Sequence, residues 1–155
     1  PSSSATVRQI SCGNSFFVGL TDDMSVYTWG ESNTGALGLG PNKTTANTPQ
    51  KISKLSNIAT IECGPDTLAA ITLDGKLFLS GILPNNTKNF EPKLFSWQYE
   101  GKLISISFGN TFCILVTEDK WTEVWSWGSA SSGQLGLGPT VNNVSVPTSI
   151  EDLGG

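Results

Sequence analysis

An all-β fold, built of repeated four-stranded antiparallel sheets, is what this chain predicts, and three observations predict it. The first is composition: seventeen glycines and eight prolines in 155 residues, with one Met and only 14% charged residues, describe turns punctuating short strands rather than long helices. The second is a duplicated motif. Val26-Tyr27-Thr28-Trp29-Gly30 leads into Glu31-Ser32-Asn33-Thr34-Gly35-Ala36-Leu37-Gly38-Leu39-Gly40, and Val124-Trp125-Ser126-Trp127-Gly128 leads into Ser129-Ala130-Ser131-Ser132-Gly133-Gln134-Leu135-Gly136-Leu137-Gly138. Five residues lead from Gly30 to Gly35 and from Gly128 to Gly133, and nine from Gly40 to Pro49 and from Gly138 to Pro147. The third is a fainter copy between these two. Ile61-Glu62-Cys63-Gly64 answers Ile10-Ser11-Cys12-Gly13, and seventeen residues then lead from Gly13 to Gly30 and from Gly64 to Gly81. A last unit opens with Ile106-Ser107-Phe108-Gly109 and reaches Gly128 after nineteen, so that two residues are inserted within 118–123. A register held over such a length marks one supersecondary unit used about three times.

Each element follows from local chemistry. Residues 1–6 read as a leader or linker, and 7–155 as one domain with units at about 7–57, 58–103 and 104–155. In the first unit, residues 7–12 form a strand that ends at Gly13, 16–21 a second, 22–25 a tight turn and 26–29 a third. The hairpin is plainer in the second unit, where 68–73 runs into Asp74-Gly75, a pair suited to the positive backbone angles of a type I′ turn, and returns over 76–80. In the third unit 112–117 and 124–127 repeat it, with Trp121 on the longer connection. Proline lacks a ladder donor and is tolerated at a strand start or on an edge, so the segments opening at Pro49 and Pro147 are expected as outermost strands. Four short strands repeated at about fifty residues are what a β-propeller blade requires.

Composition also excludes functions. A net charge of −4, with Arg8 the only arginine, argues against direct attachment to nucleic acid, which depends on clustered cations at phosphates. No apolar stretch approaches the length needed to cross a bilayer, and Pro1-Ser2-Ser3-Ser4-Ala5-Thr6 resembles no signal segment, so a soluble protein of cytoplasm or nucleus is expected. The chain has no histidine, which removes histidine-based triads, His-ligated zinc and the commonest general base near neutral pH. Cys12, Cys63 and Cys113 lack metal-site spacing and read as free, buried thiols. The glycine loops run G-x-x-G-x-G, the reverse of a dinucleotide fingerprint, and read as structural turns. Asp22, Asp23, Asp74, Glu118 and Asp119 fall at hairpin tips, where Asp serves turn geometry. No catalytic residue, cofactor or metal site is therefore assigned.

The succession Cys-Gly, hairpin, Val-Tyr-Thr-Trp-Gly, Gly-x-Leu-Gly-Leu-Gly and Pro resembles the repeat of the regulator of chromosome condensation family, from Val7 to Leu153. The middle repeat departs from it: Ser80 stands where tryptophan is expected, and residues 82–89 replace the glycine loop. The resemblance implies a closed propeller of more blades than three repeats supply. The chain thus resembles a propeller segment, completed by other blades or by self-association. The repeat anchors are Gly13, Trp29, Gly30, Gly35, Gly38, Gly40, Gly64, Gly81, Gly109, Trp127, Gly128, Gly133, Gly136 and Gly138, with Trp29 and Trp127 expected to wedge between neighbouring blades.

Two functions follow from the resemblance. One is a non-catalytic protein–protein interaction module presenting its variable tips and connections to a protein partner. The other is a part of a guanine-nucleotide exchange factor for a Ran-like small GTPase, as in the family's founding member, although no long wedge-like insertion is present. Candidate partner-binding residues are Trp121 with Lys120, on the inserted tip, and Trp97 with Tyr99, in the connection before Gly109. Exposed tryptophan is a frequent hot spot; the alternative for Trp121 is packing back over Trp125.

Overall fold

The computed structural model describes residues 5–153; most of the expected leader and the terminal Gly154 and Gly155 lie outside the described residues. Twelve strands form three four-stranded sheets, each a meander of consecutive antiparallel neighbours. Blade one holds β1 (Val7–Cys12), β2 (Phe16–Thr21), β3 (Val26–Glu31) and β4 (Thr45–Lys51). Blade two holds β5 (Ile58–Gly64), β6 (Thr67–Thr72), β7 (Leu77–Ile82) and β8 (Lys88–Phe95), and blade three β9 (Lys102–Phe108), β10 (Phe112–Glu118), β11 (Thr122–Ser129) and β12 (Asn143–Ser149). The first strands of successive blades lie side by side, and β4, β8 and β12 form the outer rim. The arrangement is a partial propeller, with no closed barrel.

Two features differ from the local expectations. At Asp74-Gly75 only Gly75 has a positive φ, of 81°, and Thr72 N donates to Lys76 O at 2.9 Å, so the hairpin is a three-residue loop with a left-handed residue rather than a type I′ pair. Met24, at φ 62°, takes the corresponding place in blade one. The outer strands β4 and β12 begin four residues before their prolines, because an edge strand with one solvated face needs few apolar residues.

Pairing partners share a face of a pleated sheet, so the register assigns each blade a front and a rear. The rear of blade one, with Phe16, Val18, Leu20 and Val26, packs on the front of blade two, with Ile58, Ile61, Cys63, Leu68 and Ala70. The rear of blade two, with Ala69, Ile71, Leu77 and Leu79, packs likewise on Leu103, Ile106, Cys113, Leu115 and Trp127 of blade three. The core is therefore two inter-blade layers. Side chains of β1 also clasp β5: the Gln9 carboxamide donates to Ile61 O at 2.8 Å and accepts from Ile61 N at 3.0 Å.

The front of blade one has no such cover. Val7, Ile10 and Phe17 are 54%, 56% and 45% exposed, whereas their counterparts Ile58, Ile61 and Leu68 in blade two are at most 1% exposed. Trp29 stacks on Phe17 at 5.7 Å on this front and is half-buried, with no blade before it among the described residues; Trp127, fully buried and stacked on Phe95 at 4.5 Å, wedges between blades two and three as expected.

Candidate functional site

One end of the blades carries the hairpins β2–β3, β6–β7 and β10–β11 together with the inter-blade connections; the other carries the β1–β2 type turns and the glycine loops. The sequence candidates all lie on the first end. The pair Glu118↔Thr122 closes the β10–β11 hairpin, and Asp119 N donates to Trp121 O at 3.1 Å. Trp121 is 65% exposed and Lys120 is exposed beside it. Trp121 stacks on no ring among the described residues. Trp125 is occupied elsewhere, its indole N–H donating to Thr117 Oγ1 at 2.9 Å and its ring meeting Trp97 edge-on at 6.0 Å.

Trp97 and Tyr99 sit differently. Their rings stack at 4.1 Å, Trp97 leans on Phe95 at 5.8 Å, and both are half-buried between blades two and three. Burial, and secondarily the Asp74 charge, raises the Tyr99 phenol pKa. The Tyr99 hydroxyl donates to Gly75 O at 3.4 Å, tying the connection to the neighbouring hairpin tip. The Trp97 indole N–H is buried without a partner. The structure thus leaves Trp121 and Lys120 standing free and gives most of the Trp97 and Tyr99 ring surfaces to inter-blade packing.

The tip carboxylates serve the turns. Thr21 Oγ1 donates to Asp23 and Thr72 Oγ1 to Asp74, and these hydroxyls hold both acids below the usual carboxylate range. Two thiols lie in the inter-blade layers, where burial pushes Cys63 and Cys113 up to about 12. Cys12 is exposed, contrary to expectation, because it lies on the uncovered front of blade one. Iodoacetamide at neutral pH is therefore expected to label one thiol per native chain, Cys12, and all three after denaturation. Rapid native labelling of Cys63 or Cys113, read by peptide mass spectrometry, would contradict the packing. Protection of Cys12 that grows with protein concentration would report a second copy covering that front.

The opposite end holds a feature that sequence reasoning missed. A cleft of about 630 Å³ opens between blades two and three, from Asn14, Asp66 and Asn110 on the inner turns to Asn143 and Ser145 on β12. Its signal in the sequence was the shortened segment after Gly81: Pro92 follows by eleven residues, where Pro49 follows Gly30 and Pro147 follows Gly128 by nineteen. Among the described residues no cluster of His, Cys, Asp and Glu could hold a metal ion, and no helix is long and apolar enough to cross a membrane.

Three such meanders, joined front to rear with their first strands side by side, define a β-propeller segment. Models of the regulator of chromosome condensation (RCC1) repeat match residues 24–71 and 123–155, and residues 7–36. The chain belongs to the RCC1 repeat family. It is 31% identical to the human E3 ubiquitin-protein ligase HERC2 over 96% of its own length, which is 3% of that protein. To the ultraviolet-B receptor UVR8 of Arabidopsis thaliana it is 31% identical over 95% of its length, and covers 34% of the receptor. Human WBSCR16, a crystal structure, superposes with a TM-score of 0.79 at 26% identity, covering 94% of this chain and 38% of that one. Prp20p of Saccharomyces cerevisiae, whose structure was described with its binding to Gsp1p and histones, gives a TM-score of 0.76 at 21% identity and shares the fold. It covers 93% of this chain and 38% of Prp20p. The chain thus spans a small part, at most about a third, of these two curated relatives. The RCC1-repeat propeller is generally a non-catalytic interaction domain, and the ligase HERC2 and the kinase Nek9 match this chain only through such repeats.

Proposed function

We propose that the chain is a non-catalytic module that binds a protein partner through the hairpin tip at Lys120 and Trp121. The observation that carries this reading is the exposure of Trp121, 65% on a tip that neither other blade shares. A large apolar ring beside a cation, held out by a closed hairpin, offers contact area without ordering a loop on binding. Trp97 and Tyr99, half-buried on the same end of the blades, add partly exposed ring edges to the contact surface. The open front of blade one supports a further element of the reading, completion of the propeller by other blades or by a second copy. A cytoplasmic or nuclear location belongs to the same reading.

Trp121→Ala is expected to change the unfolding free energy by no more than about 0.5 kcal/mol, as for an exposed surface site, and to weaken the partner complex by about 2 kcal/mol or more, as for a hot spot. Chemical denaturation and titration calorimetry with the captured partner check the two halves. A large loss of stability with unchanged affinity would refute the assignment.

A second reading, part of an exchange factor for a Ran-like GTPase, draws on the likeness to Prp20p, which at 21% identity extends to fold. A pull-down with the full-length protein, run with and without a magnesium chelator, separates the readings. A GTPase enriched only after chelation favours exchange. Partners indifferent to chelation and lost with Trp121→Ala favour the module.

A further inference from the structure

The groove between blades one and two shows what fills such a place. Gly35 lies so close to β8 that a Cβ there would come within 2.4 Å of Asn89 O. Gly40 N donates to Phe90 O at 3.0 Å, and the Ser80 hydroxyl donates to Gly35 O at 2.6 Å. Ala36 fits against Gly81 and is fully buried. Polypeptide backbone, small at the point of closest approach, is the occupant of that groove.

Blade two has lost the loop that would do the same to blade three. The register aligns Gly81 with Gly128, and Asn89 with Val144. Pro84, on the short turn of residues 83–87, stands beside Gly128 where Ala36 stands beside Gly81. Trp127 takes part of the vacated space, its indole N–H donating to Ser145 O at 2.9 Å, the position of Phe90 O in the other groove. The remainder is the open cleft of about 630 Å³. Its walls combine Leu83, Pro84, Phe108 and Phe112 with exposed asparagines, and the carboxamides of Asn14, Asn110 and Asn143 make no hydrogen bond within the chain among the described residues. A carboxamide offers one donor and one acceptor group, matched to a peptide unit. Asp66 is the one ionisable residue along the lining.

From these observations we propose that the cleft between blades two and three is a second binding site, which takes an extended, neutral or basic polypeptide segment in the seat of the missing glycine loop. The segment presents a small residue beside Pro84, an apolar side chain to Phe108 and Phe112, and its backbone to the asparagines. The site lies on the end of the blades opposite Trp121 and does not depend on the hairpin-tip reading.

The test is selection of a displayed library of short random peptides on the 155-residue chain, followed by NMR titration of enriched peptides into isotope-labelled protein. Expected are shifts in the Asn14, Asn110 and Asn143 side-chain amides, and affinity about tenfold lower in N110A/N143A, in line with two lost hydrogen bonds. A chain with residues 83–87 replaced by the stretch 32–44, which restores the nineteen-residue spacing from the glycine to the rim proline, is expected to stay folded by circular dichroism and to lose the peptide. Failure of any peptide to enrich, shifts confined to the Trp121 tip, or full binding by the folded loop-replaced chain would each overturn the proposal. Shifts at Trp121 alone would do so while leaving the hairpin-tip reading intact.

Discussion

Trp127→Ala is expected to cost about 3–5 kcal/mol, the range for truncating a fully buried aromatic, and to lower the melting temperature by about 10 °C. Three interactions are lost together. The ring is 0% exposed, stacks on Phe95 at 4.5 Å, and its N–H donates to Ser145 O at 2.9 Å. The carbonyl left behind faces the cleft and recovers water, so the larger share is the cavity. Since Trp127 joins blade three to blade two, hydrogen exchange in β9 to β12 is expected to accelerate more than in β1 to β4. Uniform acceleration would mean that the blades unfold as one unit. Trp29→Ala, at the same repeat position on the open front, is expected to cost far less, because its ring is half-solvated already.

Gly35→Ala against Gly133→Ala is the second large contrast. Both glycines have left-handed backbone, at φ +96° and +77°, so each alanine carries strain of about 1 kcal/mol. Around Gly35 the new methyl meets backbone at 2.4 Å and 2.6 Å, and the loop must leave its seat on β8; the total loss is expected at about 3 kcal/mol or more. Around Gly133 nothing lies within 4 Å, and the strain stands alone. Thermal melts of the two variants measure the difference. Equal losses would show that the loop of blade three is covered in solution, as a following blade or a second copy would cover it.

How far this was legible in the sequence depends on whether a signal was local. Strands β1 and β2 could be bounded to the residue, since Val7 to Cys12 and Phe16 to Thr21 sit between turn formers. The ends of β3, β7 and β11 ran on past expectation because each ladder is irregular near its glycine and resumes beyond it. At β8 the missing loop hid the register, although Pro92 keeps the rim place of Pro49 and Pro147. In the candidate site, the insertion that no other repeat shares singled out Trp121 but left open whether it packs back over Trp125; its exposure is visible only in the structure. Contact of Trp97 with Phe95 and, edge-on, with Trp125 joins residues of two blades, and no spacing encodes it. Cys12 is exposed here where burial was expected, and Trp29 half-buried, for one reason: a repeat position is buried only where a neighbouring blade covers it.

The rim prolines have a consequence for how this protein fails. Pro49, Pro92 and Pro147 each sit in the outermost strand of a blade, and none has an N–H to offer an approaching chain. On the inner side, the Gln9 side chain has already taken both hydrogen-bonding groups of Ile61. Both margins of the sheet in blade two are thus poor templates for cross-β growth. Under heat or crowding the chain is expected to clump through its apolar front, reversibly and without seeding, rather than to grow fibres.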